Sequence, residues 1–129
     1  MKYSHNIYLV SDSTGETIDR IFTALKSQFS HFDYQIHQYS FTRTKNQIKE
    51  ILKSAKKQKH TIILYTLVDY SLAEYLTKNS EKNDIPCYGV LGDLISKFSK
   101  ILNQKSLNIP SRQHKLNDEY YDRVEAIQF

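Results

Sequence analysis

The chain has 129 residues, 18 basic and 14 acidic, with a formal charge of +4, enough for one domain with a real core and too few for two comfortable ones. Fourteen of the basic residues are lysines spread along the chain, and the densest run, Lys53 to Lys59, falls at the end of a predicted helix where cations suit the dipole, so no nucleic-acid surface is expected. The single cysteine, Cys87, excludes an intramolecular disulfide, and no apolar window is long enough for a signal peptide or a membrane span, so the expected location is the cytoplasm.

In chain order, Ile7-Tyr8-Leu9-Val10 reads as a strand that runs into the polar turn Ser11-Asp12-Ser13-Thr14-Gly15-Glu16-Thr17. A helical stripe follows at Ile18, Ile21, Phe22, Leu25 and Phe29. Ser13 stands three residues before Glu16, the spacing of a capping box, and Gly15 sits where a missing side chain admits a close approach. A loop of this kind after a first parallel strand is where open α/β sheets hold ligands, although the same residues also suffice simply to start a helix. Tyr34 to Phe41 reads as a half-buried strand near a sheet edge. Thr44 and Gln47 repeat the capping spacing before a helix with Ile48, Ile51, Leu52 and Ala55, which leaves Thr42 and Arg43 in the loop.

Thr61 to Leu67 is the most apolar run and predicts a central strand buried on both faces. Asp69-Tyr70-Ser71 follows, with Ser71 three before Glu74 and a helical stripe at Leu72, Tyr75 and Leu76. Asp69 is a candidate cap or site residue. A fourth strand is expected over Ile85 to Leu91, with Cys87 as a small core residue, and Gly92-Asp93 opens a helix carrying Leu94, Ile95, Phe98, Ile101 and Leu102. The alternation predicts a three-layer α/β domain over residues 1–102: a mostly parallel four-stranded sheet, order 2-1-3-4, flavodoxin-like, with helices on both faces. Residues 103–116 read as a connector, and 117–129 as a C-terminal helix through Tyr120, Tyr121, Val124 and Ile127. Its apolar side is intact at Phe129, which suggests a further, absent domain.

Several chemistries fail on residue types. Gly15, Gly89 and Gly92 are the only glycines, so neither a Walker loop nor a dinucleotide fingerprint is present. The five histidines have no paired metal-ligand spacing, and one cysteine cannot complete a zinc site. A triad of Ser13, His114 and Asp69 can be drawn on paper, but the serine lacks a glycine-flanked elbow.

Two resemblances bear on the loop. Ser13-Thr14-Gly15-Glu16-Thr17 behind a strand is similar to the phosphate loop of flavodoxins, although Asp12 and Glu16 would set two carboxylates near a phosphate. That implies a phosphate- or FMN-binding module. The second covers nearly the whole chain: Val10 to Thr17, Thr66-Leu67-Val68, Ile85-Pro86 leading to Leu91-Gly92, and His114-Lys115-Leu116 followed by Tyr120 to Phe129. In these blocks, in this order, the chain resembles the pyruvate, phosphate dikinase regulatory protein family. The resemblance implies a bifunctional serine/threonine kinase and phosphorylase, which phosphorylates a threonine of the dikinase from ADP and removes that phosphate with inorganic phosphate, releasing pyrophosphate. A sister branch acts on phosphoenolpyruvate synthase.

The family's glycine-rich nucleotide loop lies downstream of the segment matching Glu125 to Phe129, so the resemblance is to the amino-terminal half. ADP and inorganic phosphate, the family's substrates, are therefore not expected to bind this chain alone, and an inactive remnant is a further reading. Ser111 after Pro110 also departs from the usual glycine. The resemblance makes Ser11, Asp12, Ser13, Thr14, Gly15, Glu16 and Thr17 the candidate loop toward the catalytic half or target, with Arg43, Asp69 and Arg123 as secondary candidates. A homo-oligomer is compatible with it.

Overall fold

The first strand, β1 (His5–Ser11), is almost wholly buried, because its alternate side chains enter two different cores. Ile7 and Leu9 meet Ile18 and Phe22 of α1 (Glu16–Lys26) on one face. Tyr8 and Val10 meet the opposite layer, formed by Ile48, Ile51, Leu52 and Ala55 of α2 (Lys45–Lys57) and Leu72 and Leu76 of α3 (Tyr70–Lys82). This is a computed structural model, and it describes residues 4–107. β1 pairs in parallel with β2 (Tyr34–Tyr39) and β3 (Thr61–Thr66), and β3 pairs in parallel with β4 (Cys87–Gly89). The order is β2-β1-β3-β4, as the sequence predicts.

Burying one of these Ile or Leu side chains is worth about 1.5–3 kcal/mol, so the two layers dominate the stability of the sheet. Tyr8 adds specificity. Its ring stacks at 4.5 Å on His37 and 5.9 Å on Tyr39, while its hydroxyl shares a 2.7 Å hydrogen bond with Ser54 Oγ. Burial and the neighbouring Tyr39 raise the Tyr8 phenol pKa against the lowering effect of Ser54.

Several boundaries differ from expectation. Phe29 lies past the end of α1, which closes at Ser27, and its ring stands 57% exposed. β2 stops at Tyr39 because Phe41 takes a left-handed φ of 54°, which no strand can continue. The Thr44–Gln47 capping box is present, with Gln47 N–H on Thr44 Oγ1 at 3.1 Å and Thr44 N–H on Gln47 Oε1 at 3.0 Å. The Ser71–Glu74 box is not. α3 begins two residues earlier, at Tyr70 behind the N-cap Asp69, and Glu74 instead pairs with Lys78.

The fourth strand is cut to three residues at the sheet edge, where Tyr88 is exposed and Cys87 half-buried. Desolvation pushes the Cys87 thiol up to about 11, against the lowering effect of the nearby Ser80 and Thr77 hydroxyls. α4 (Gly92–Leu102) follows, and none of its residues is buried. Residues 104–107 carry no regular structure, and the expected helix over 117–129 lies outside the described residues.

Candidate functional site

Parallel strands put their carboxyl ends on one edge, and there the β1–α1, β2–α2 and β3–α3 loops converge at the point where the strand order reverses. Ser11, Asp12 and Ser13 are buried in this convergence. Asp12 is the hinge pin. Its Oδ2 accepts the Val68 N–H at 2.8 Å, its own N–H donates to Thr66 O at 3.3 Å, and its carbonyl accepts Arg43 Nε at 2.9 Å. One residue therefore ties all three loops together.

With Asp12 only 3% exposed, desolvation raises its carboxyl pKa above the ordinary value. The Val68 amide, its own backbone and Arg43 pull the other way, and Asp69 adds to the rise. Asp69 itself faces its helix, where Oδ1 accepts Ser71 N–H at 2.8 Å and Leu72 N–H at 3.3 Å. It is the N-cap of α3, and such a cap is typically worth about 1 kcal/mol.

The expected Ser13–Glu16 capping box is absent, since α1 is capped by Gly15 with no side-chain hydrogen bond. Ser13 is drawn inward instead: its N–H donates to Ser11 Oγ at 3.0 Å, its carbonyl accepts Phe41 N–H at 2.9 Å, and its hydroxyl lies 3.3 Å from that of Ser11. Gly15 has φ +93°, where L side chains are strained. The close approach foreseen there comes from the protein, because an added Cβ would lie 2.6 Å from Gln38 Nε2 and 3.3 Å from Ser40 Oγ. Ser40 also donates to the Thr14 carbonyl at 2.8 Å.

Facing outward, toward any partner, are the exposed residues Thr14, Glu16 and Thr17, the guanidinium of Arg43 stacked 5.4 Å from the Phe41 ring, and the exposed rings of Phe41 and Tyr70. Arg123 lies outside the described residues. Sequence reasoning missed Thr42 and Val68, whose backbone N–H groups lock the loops onto Ser11 O and Asp12, and the two exposed aromatics. Placing Phe41 inside a strand hid it; Tyr70 carried a signal, a large ring beside a cap and off the apolar stripe.

Beside the loops a cleft of about 790 Å³ opens between α3 and α4, with Val68, Tyr70, Lys78, Asp93 and Lys100 among its walls. A hollow of about 550 Å³ lies at the opposite edge, against His5, His60 and Asp84, away from the convergent loops. Among the described residues no three His, Cys, Asp or Glu side chains are grouped to hold a metal ion, and no helix is long and apolar enough to cross a membrane. The arrangement is a frame that presents hydroxyls, one carboxylate and one guanidinium at a sheet edge.

Comparison with known proteins gives this frame its family. Residues 7–129 match the family model described as kinase/pyrophosphorylase. A pyruvate, phosphate dikinase regulatory protein of Pelagibacter ubique is 55% identical over 129 residues, covering 100% of this chain and 47% of the relative. Proteins of the same name from Geotalea uraniireducens and Lactiplantibacillus plantarum are 37% and 33% identical over 123 residues, covering 95% of this chain and 45% of each relative. The chain thus spans about half the length of the relatives it matches. By the extent of the family match and the 55% identity, it belongs to the kinase/pyrophosphorylase family.

Proposed function

We propose that this chain acts as the amino-terminal half of a cytoplasmic regulator of pyruvate, phosphate dikinase. The whole regulator moves phosphate from ADP to a threonine of the dikinase, leaving AMP, and takes it off with inorganic phosphate, leaving pyrophosphate. The observation that carries the reading is the family match over residues 7–129, joined to the name that the similar proteins share. That name also favours the dikinase over phosphoenolpyruvate synthase as target. This half contributes docking and positioning: Asp12 and Asp69 hold the frame, and Thr14, Glu16, Thr17 and Arg43 meet the target dikinase.

A phosphate-loop role for Ser13 to Thr17 fits less well. A loop that cradles a phosphate needs its amides, and Ser11 Oγ already takes that of Ser13. The deciding experiment incubates dikinase and ADP with this chain or with the full-length Pelagibacter relative. Threonine phosphorylation is expected with the relative and none with this chain alone; a relative that transfers no phosphate in either direction would overturn the reading.

A further inference from the structure

The fourth helix is amphipathic, yet its apolar side meets no layer among the described residues. Leu94, Phe98, Ile101 and Leu102 are 52%, 57%, 77% and 56% exposed and recur at the spacing of one helical face. An apolar groove of about 530 Å³ runs along this face, walled by Leu94, Phe98 and Leu102 together with Leu91, Ile95 and Leu107. A helix of 11 residues is marginal in water without packing, so this face calls for a cover. The adjoining strand is an edge too: β4 pairs only with β3 and leaves its outer edge unpaired among the described residues, and native sheets ordinarily blunt or cover such an edge.

We infer that α4 and the outer edge of β4 form the seat for the carboxyl-terminal half carried by the relatives, which supplies apolar side chains to the groove and a strand to the edge. Two observations fix the occupant. The Pelagibacter relative is matched by all of this chain over only 47% of its own length, so more than half of it lies outside the match. The groove is also lined by residues 104–107, so the chain leaves α4 along the groove itself, and in the relatives whatever follows is tethered beside it at high effective concentration. A second copy is the less suited occupant, since it reaches the groove only at its free concentration, whereas a tethered segment is held beside it. The inference rests on the reading of this chain as the amino-terminal half of such a protein, and not on the phosphotransfer reading.

Hydrogen exchange of this 129-residue chain, compared with that of the full-length Pelagibacter relative, tests it. Protection factors in the helix matching α4 should be at least ~10-fold higher in the relative, while the helix matching α2, already buried here, should be protected in both. Equal protection of α4 in the two proteins overturns the inference. So does a concentration-dependent dimer of this chain in sedimentation that Phe98→Asp abolishes, because the occupant is then a second copy. Phe98→Asp should leave the melting temperature of this chain within ~2 °C of the parent, as expected for an exposed position. A larger loss means that the face already packs within this chain and refutes the assignment.

Discussion

Replacing Gly15 by alanine probes how the candidate loop is held, and its cost can be worked from geometry. At φ +93° an L residue is strained, by about 1–2 kcal/mol. The new Cβ would also lie 2.6 Å from Gln38 Nε2, a contact that the end of a flexible side chain relieves by moving. That movement forfeits the exposed 3.2 Å hydrogen bond from Gln38 to Asp19, worth about 0.5–1 kcal/mol. The sum is roughly 2 kcal/mol, or a fall in melting temperature on the order of 5–10 °C for a domain of this size. Calorimetry on Gly15→Ala, Gln38→Ala and the double variant separates the parts: the double variant should retain the backbone cost and lose the steric one. Gly15→Asn, which tolerates positive φ better, should fall between alanine and the parent. If Gly15→Ala melts within ~1 °C of the parent, the glycine is not held for its backbone and the account of the α1 start is wrong.

Asp12→Asn should change how stability depends on pH. The folded pKa of Asp12 is raised, so the parent's advantage over the Asp12→Asn variant is full below the ordinary carboxylate value of about 4 and declines as pH rises through the raised folded value. Chemical denaturation across that range would refute this if the difference is flat or grows with pH. Asp69→Ala should cost about 1 kcal/mol and speed exchange of the Ser71 and Leu72 amides while leaving those of α2 unchanged. Isothermal titration of this chain with Mg-ADP should show no micromolar binding; a clean one-to-one isotherm in that range would contradict the assignment of the nucleotide to the other half.

The sheet order and the buried strands were legible because their signals are local and redundant. Thr61 to Thr66 lies in the most apolar run of the chain, and Thr44 and Gln47 carry both halves of their cap. The loops were less legible because several arrangements satisfy the same spacing. Ser13 and Glu16 have capping spacing, but Ser11 Oγ and the Phe41 amide compete for Ser13 and win, so Gly15 takes the cap. Ser71 and Glu74 lose in the same way to Asp69, which reaches two amides of the same turn. Asp12 could be named as a loop residue, but its link to Val68 spans 56 positions and no periodicity reports it. The stripe of α4 was plain in the sequence; that no layer of the described domain receives it was not.

The central claim is that the carboxyl edge around Ser11 to Thr17 meets the dikinase. The direct measurement titrates immobilised pyruvate, phosphate dikinase with this chain and with a Thr14→Arg, Thr17→Arg variant, whose changes fall on exposed side chains of the loop. Saturable binding by the parent is predicted, weakened at least ~10-fold in the variant, about 1.4 kcal/mol, with little change in melting temperature. No binding by the parent, or equal binding by the variant, would contradict the claim.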